Sequence, residues 1–278
     1  MEGPEAIRMR NITFDSFRDV FNLTMTYRRD SDVYSPYGTA SQVHKMLFKE
    51  NISRHLEDLM VVKSKLAIWV VSDGYMRGAK ERILLSDQLI QYGLDLDRRG
   101  ELFPEADPLP KGGGHSFIQF IQKYKFYMAF ENQWHCKEYI TEKVWNNGFR
   151  AETVPVVWGA RKEDYEALLP PESFIYAEDY TPEELVMYLQ YLDKNETAYR
   201  KYFKWRSMAA GCMPGHDREY SFCQLCRIMH GMNIDNIFNP LYQEKYSSVP
   251  LFVAPNSTIR TVHSLKEFFY KTENPECH

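Results

Sequence analysis

The sequence predicts an α/β protein built on a doubly wound parallel sheet, and three features support this class. Residues 66–71 and 154–158 are short apolar runs, as expected of strands buried on both faces of a parallel sheet. Segments between the apolar runs carry apolar residues at helical spacing. Strands and helices then alternate over residues 63–206, which is the order that a doubly wound domain requires.

The elements follow in chain order from the first apolar run. Each strand is assigned from apolar residues between turn signals, and each helix from apolar spacing. The predicted order is a strand at 66–71, a helix at 79–92, a strand at 94–96, a helix near 117–124, a strand at 126–130, a helix at 139–148, strands at 154–158 and 174–176, and a helix at 182–194. Residues 1–62 lack a repeated β-α unit and are predicted to be part of another domain, and residues 207–278 form an irregular tail.

Composition excludes several classes of protein. Lys and Arg number 34 against 38 Asp and Glu, so the chain is neither a basic nucleic-acid binder nor an acidic disordered protein. No apolar run approaches the about 18 residues that a membrane span needs. The start at Met1 has no basic-then-apolar leader pattern. A globular protein is therefore expected.

Asparagine and cysteine usage point to the secretory pathway. Five of the 12 asparagines lie in Asn-x-Ser/Thr triplets, where chance predicts roughly one. These glycosylation candidates are Asn11, Asn22, Asn51, Asn195 and Asn256. Cys223 and Cys226 form a C-x-x-C for which disulfide chemistry is favoured, with partners that can lie outside this chain. A zinc site is the alternative, but the second half of a structural zinc pattern is absent.

Two strand-to-helix junctions are the candidate sites, because ligands of open α/β sheets bind beyond the carboxyl ends of the strands. The first runs from Ser72 to Arg82, and the second from Phe130 to Trp145. A helix start attracts phosphate, and a lysine there adds a full charge. Neither a P-loop nor a dinucleotide glycine motif is present.

Three other patterns are weaker. The pairs Asp30-x-Asp32 and Asp95-x-Asp97 are able to hold a divalent cation, although a solvated turn or strand end is the favoured interpretation. Cys136 beside His135 is interpreted as a thiol or disulfide partner rather than a nucleophile, because no third group orients it.

Six stretches in this order resemble the α-1,3-fucosyltransferase family. They cover roughly residues 1–230, and their combination is specific although single pieces are not. The stretches are Phe21-Asn-Leu-Thr-Met-Thr-Tyr-Arg-Arg-Asp-Ser-Asp32 with Pro36-Tyr-Gly38, Trp69-Val-Val-Ser72, Lys125-Phe-Tyr-Met-Ala-Phe-Glu-Asn132, Tyr139-Ile-Thr-Glu-Lys143, Val154-Pro-Val-Val-Trp-Gly159, and Leu192-Asp-Lys-Asn195 through Trp205-Arg206.

The resemblance implies a GT-B-type glycosyltransferase with a Rossmann-like donor domain at 63–206 and part of a second α/β acceptor domain at 1–62. The 207–278 tail is expected to pack back on the acceptor side. The implied reaction transfers L-fucose from GDP-β-L-fucose, with inversion and without a required metal, in α-1,3 linkage to N-acetylglucosamine of N-acetyllactosamine-type glycans on glycoproteins or glycolipids. The implied location is the Golgi lumen, with a type II membrane anchor that belongs to a longer protein and is absent from this chain.

Roles for individual residues also follow from the resemblance. Glu2, in a short Glu-Gly-Pro stretch, matches the candidate general base, and Lys143 and Arg82 match the diphosphate-binding cations. Glu142, Asn132 and Tyr139 match residues that contact or line the GDP-fucose site, to which Ser72 and Glu131 are assigned by their positions after strands. Cys223 and Cys226 match the late C-x-x-C of the family.

Three departures from the family pattern leave alternatives open. The loop between Asn132 and Tyr139 is one residue longer than usual, Asp73 replaces a familiar Asn or His, and a cysteine pair is absent at both of its positions, which lie just before Trp69 and at Tyr124. The second hypothesis is therefore a non-catalytic lumenal glycoprotein that binds a nucleotide sugar, or an inactive fragment of such an enzyme. A third hypothesis is a metal-dependent transferase that uses Asp95 and Asp97.

Overall fold

A five-stranded, all-parallel sheet organises the part of the chain that the structure describes. The computed structural model describes residues 18–72, 77–110, 114–214 and 221–229. The strands of the sheet are β3 (Lys65–Val70), β4 (Leu96–Arg99), β5 (Tyr124–Phe130), β6 (Val154–Trp158) and β7 (Ile175–Tyr176), in the spatial order β4-β3-β5-β6-β7. A separate parallel pair, β1 (Met25–Thr26) and β2 (Val33–Tyr34), precedes it.

Helices connect these strands. Their bounds are α1 (Ala40–Leu47), α2 (Ile52–Val62), α3 (Arg77–Gln91), α4 (Gly114–Gln122), a π-helix (Lys143–Arg150), α5 (Lys162–Leu168), α6 (Pro182–Lys194), α7 (Glu196–Arg200) and α8 (Ser221–Met229). Local signals set several of the starts. At α6 the Thr181 hydroxyl caps the Glu184 N–H while the Glu184 carboxylate accepts from Thr181, and Pro182 occupies the first turn.

Both faces of the sheet are covered, as in a doubly wound domain. Side chains alternate along β5, so that Phe126, Met128 and Phe130 enter one core cluster while Tyr127 and Ala129 enter another. The first cluster packs under α6, and the second is covered by the π-helix and by α1. Every residue of β6 is buried, which explains why its sequence is a continuous apolar run. The doubly wound parallel α/β class predicted from the sequence is confirmed.

Most predicted elements lie where the sequence places them. Three helices after β6 were not predicted, namely α5, α7 and α8, and α8 lies in the 207–278 tail that was expected to be irregular. Three other differences concern the earlier part of the chain. The strand expected at 94–96 is β4 at Leu96–Arg99, and Leu94 is instead a buried residue before it. The helix expected at 139–148 begins after Thr141 and is a π-helix over Lys143–Arg150. Residues 18–62 contain helices α1 and α2, which pack on the two core clusters of the sheet, α1 on the second and α2 on the first. The boundaries of the predicted domains stay predictions.

No helix within the described ranges has the length and apolar character needed to cross a membrane.

Candidate anion-binding site at the switch point of the sheet

The strand order places a switch point between β3 and β5. From β3 the chain first forms β4 on one side and then returns to form β5 on the other side of β3. Connections therefore leave the carboxyl ends of β3 and β5 in opposite directions, and a crevice opens between them. Both predicted junctions meet there, since exposed Ser72 follows β3 and Glu131 and Asn132 follow β5.

Glu131 lies at the centre of the hydrogen-bond network of this site. Its side chain is 0% exposed, and its carboxylate accepts the Thr141 N–H at 2.8 Å, the Thr141 hydroxyl at 2.8 Å and the Lys143 ammonium at 3.1 Å. Burial raises the pKa of Glu131, although the Lys143 charge and the Thr141 bonds oppose this effect. In this structure Glu131 holds the segment that leads to Lys143, and its own oxygens face protein donors.

Lys143 brings a positive charge to the start of the π-helix. Its Nζ contacts the Thr141 hydroxyl at 2.9 Å and the Glu142 carboxylate at 3.3 Å as well as Glu131, and 15% of its side chain stays exposed. Partial burial acts to raise the pKa of Glu142, but the adjacent ammonium and hydrogen bonds outweigh it, so this pKa lies below its ordinary value. The N–H groups of Thr141, Val144 and Trp145 already donate, to Glu131 and to the Thr141 carbonyl. The partly exposed Lys143 ammonium is therefore the group that favours an anion at this point.

Tyr139 is buried rather than lining an open surface. It is 4% exposed and packs edge-on against Tyr27 at 5.2 Å and Tyr37 at 6.4 Å between ring centroids. Burial raises the pKa of its hydroxyl far above the ordinary value, so that it stays protonated. This aromatic cluster joins the segment before Lys143 to the β1–β2 region.

Arg82 lies beside the same crevice but is turned into the protein. The residue is 1% exposed, its guanidinium donates to the Phe130 carbonyl at 3.0 Å, and it lies 5.8 Å from the Trp69 ring centroid. These contacts tie α3 to the ends of β3 and β5. Arg82 can bind a diphosphate, as predicted, only if the ligand reaches this buried guanidinium at the bottom of the crevice.

Unsatisfied amide groups follow β5. The Asn132 Oδ1 and the Gln133 Nε2 are buried without a hydrogen-bond partner among the described residues. A buried polar atom without a partner costs free energy, and a bound ligand that supplies the partner recovers it. The sequence predicted Asn132 as a site residue and missed Gln133, whose position directly after it was the available signal.

The loop from 133 to 138 closes one side of the site. Trp134 stacks on His135 with 4.1 Å between ring centroids, and the Trp134 indole donates to Glu178 at 3.0 Å. Cys136 is 1% exposed and disulfide-bonded, so it is not a nucleophile, as predicted. Gly159 permits close approach to this loop, because its φ is +122° and a Cβ there would lie 2.7 Å from the Glu131 Cβ.

Of the two acidic pairs, Asp95 and Asp97 lie away from the crevice, whereas Asp30 lies 3.7 Å from the Lys137 Nζ of the 133–138 segment. Asp97 is near the amino end of its strand, where its carboxylate binds Lys65 Nζ at 2.7 Å and the Tyr124 hydroxyl, and Asp95 precedes the strand. Ligand crevices of such sheets lie at the opposite edge. Asp30 pairs with Arg28, and Asp32 accepts from Thr24, so each acid has a structural partner.

The remaining predicted residues divide into three groups. Glu2, Asn11 and Asn256 lie outside the described residues. Asn22 is exposed, whereas Asn51 and Asn195 use their side-chain oxygens to cap α2 and α7. Capping is a structural reason for these two asparagines, and it leaves their role as glycosylation sites a prediction. Cys223 and Cys226 are exposed free thiols on α8, and their predicted disulfide pairing stays a prediction.

Fold and site together define a doubly wound α/β domain with a crevice at its switch point. Comparison with known families is more specific. The model of the C-terminal part of glycosyltransferase family 10 (fucosyltransferase) matches residues 60–244, and the fucosyltransferase N-terminal model matches residues 1–38. The chain belongs to this family, as its motifs predicted.

Two curated relatives agree with this assignment. The chain is 38% identical over 216 residues to 3-galactosyl-N-acetylglucosaminide 4-alpha-L-fucosyltransferase FUT3 of Pan troglodytes, covering 74% of this chain and 51% of the relative. It is 36% identical over 236 residues to 4-galactosyl-N-acetylglucosaminide 3-alpha-L-fucosyltransferase FUT5 of Homo sapiens, covering 81% and 55%. A crystal structure of an alpha1,3-fucosyltransferase matches 64% of this chain and 49% of its own, with 20% identity and a TM-score of 0.44. The chain thus spans about half the length of the curated relatives it matches.

Proposed function

We propose that this chain is the donor-binding part of an inverting α-1,3-fucosyltransferase that uses GDP-β-L-fucose. The observation that carries the proposal is the Lys143 ammonium, partly exposed at a helix start on the switch point of the sheet. Family membership gives the ligand class, and a cation at a helix start suits a diphosphate leaving group.

In the proposed reaction a hydroxyl of N-acetylglucosamine attacks the anomeric carbon from the side opposite GDP, and the C–O bond to the diphosphate breaks. Lys143 stabilises the negative charge that develops on the departing GDP. Arg82 adds a second cation from the opposite side of the crevice, and Asn132, Glu142 and Ser72 surround the donor. Buried Tyr139 supports the segment that leads to Lys143. Glu2 accepts the proton of the attacking hydroxyl. Side chains supply the positive charge, and no metal is required.

The proposed setting is the Golgi lumen, as part of a type II membrane protein that acts on N-acetyllactosamine-type glycans. Exposed Asn22 and the two capping asparagines of the described residues suit glycosylation in that compartment.

The test is calorimetric titration of the 278-residue chain with GDP. Lys143→Ala should weaken GDP binding by about 1.5–3 kcal/mol, the range for hydrogen bonds to charged groups. The matched control is Lys65→Ala, because Lys65 is also paired with a carboxylate, Asp97 at 2.7 Å, but lies at the amino end of β3, at the edge of the sheet opposite the crevice. Unchanged affinity in Lys143→Ala would remove this lysine from the site, and no GDP binding by the parent chain would refute the donor assignment.

Transfer is measured on the full-length protein with GDP-fucose and N-acetyllactosamine. Glu2→Gln should abolish product while GDP affinity stays nearly unchanged, because the base acts on the acceptor. Loss of all activity in EDTA would instead favour the metal-dependent alternative.

The burial of Arg82 favours a second candidate function, a binding module without catalysis. A guanidinium committed to the Phe130 carbonyl is less available to a diphosphate. GDP binding without transfer by the full-length protein would support this function.

A further inference from the structure

The β1–β2 segment is joined to the site loop by a buried ion pair. Arg29 donates its backbone N–H to Glu138 Oε2 at 2.6 Å and its Nε to Glu138 Oε1 at 2.7 Å, across 109 positions of sequence. The Glu138 side chain is 1% exposed and that of Arg29 is 25% exposed. A two-point contact of this kind fixes orientation as well as distance.

The Glu138 backbone is constrained as well. Its φ is +57°, an uncommon left-handed value for a residue with a side chain, and its N–H donates to Asp164 Oδ2 at 2.9 Å at the first turn of α5. Its carbonyl accepts the Ile140 N–H at 2.9 Å. Surroundings must hold such a conformation in place, and the Arg29 contact is one of the interactions that do so.

Residues along the segment from Glu138 to Lys143 are held by contacts with other parts of the protein. Tyr139 packs on Tyr27, which is two residues before Arg29, and Thr141 and Lys143 then bind Glu131. A shift of Glu138 would therefore be passed along four residues to the Lys143 ammonium.

We propose that Arg29 is a positioning residue that acts through Glu138 to place Lys143 at the switch point. The inference rests on the proposed function in one respect, namely that GDP is the anion that Lys143 binds. The β1–β2 segment and the anion site are then structurally coupled, so that contacts made by the β1–β2 segment affect the affinity for the donor.

Hydrogen exchange and GDP titration of the 278-residue chain test the proposal together. Arg29→Gln should accelerate amide exchange in 138–143 without accelerating exchange in β5, and should weaken GDP binding about three- to thirtyfold. Both variants keep the backbone N–H bond to Glu138, but Arg29→Lys also keeps the charge, and its loss of affinity should be smaller.

Tyr199→Phe is the control for a loss of stability that does not displace residues 138–143. It removes a buried hydrogen bond to the Lys125 carbonyl at 2.7 Å, at the other end of β5 from the site. Exchange in 138–143 and GDP affinity should not change in this variant. Unchanged exchange in 138–143 for Arg29→Gln, or an equal change in Tyr199→Phe, would overturn the positioning role. A parent chain that binds no GDP would refute the proposed function instead, and the exchange result would still decide the role of Arg29.

Discussion

Asp164→Asn should make the protein more stable at neutral pH. Asp164 is 7% exposed, and burial raises the pKa of its carboxyl from 3.8 to about 6, with the nearby Glu138 charge adding to the shift. The Glu138 N–H and the Arg29 charge oppose the shift without cancelling it. Asn keeps the size of the side chain and an oxygen that accepts the Glu138 N–H.

The sign and size follow from linkage. Between pH 3.8 and about 6 the folded protein binds more protons at Asp164 than the unfolded chain does, so stability falls as pH rises through this window. Above about pH 6 the buried carboxylate is ionised and lowers the free energy of unfolding by its full amount. A pKa shift of about two units corresponds to about 3 kcal/mol. The Asn variant should therefore gain up to about 3 kcal/mol at pH 7.5 and lose that advantage near pH 4.

Urea unfolding at pH 4, 5, 6 and 7.5 measures this difference, with the slope m as a check that both proteins unfold alike. Asp87→Asn is the control, because Asp87 is 54% exposed and pairs with Arg98 at the surface. Its effect should stay within about 1 kcal/mol at every pH. A stability difference for Asp164→Asn that does not vary with pH would refute the reasoning.

Two further predictions concern backbone and packing. Gly159→Ala should lower the free energy of unfolding by about 2–5 kcal/mol, because the positive φ and the contact with the Glu131 Cβ both disfavour a side chain. Gly93 has a φ of +91° and nothing within 4 Å, so Gly93→Ala should lower it by only about 1–3 kcal/mol in the same denaturation assay. Equal costs for the two would show that the close approach at Gly159 is unimportant. Tyr199→Phe should cost about 1 kcal/mol through loss of the bond to the Lys125 carbonyl, and thermal unfolding checks it.

Parallel strands buried on both faces were the easiest elements to predict. β6 occupies 154–158 as predicted, since a strand covered on both sides must be apolar throughout. Helices α1 and α2 were missed although their apolar residues carry a signal: Ala40, Val43 and Leu47 stand at helical spacing in α1, and six of the 11 residues of α2 are apolar. The late start of the π-helix was also missed, because Glu131, ten positions earlier, takes the Thr141 N–H.

Strand positions alone predicted two junctions, and the family resemblance then implied that both contribute to one donor site. Positions after strands pointed to Ser72, Glu131 and Asn132 without revealing which strands are neighbours. Gln133 was missed, and the burial of Arg82 and Tyr139 was not foreseen, because exposure depends on elements distant in sequence.

By itself the sequence determined the α/β class, the family and the junctions that carry charge, because apolar period and short motifs are local properties of the chain. Only the tertiary structure decided that β3 and β5 are neighbours, that Glu131 faces Thr141 and Lys143, and that Arg29 binds Glu138. These are pairings between residues up to 109 positions apart, and packing of the whole sheet selects them.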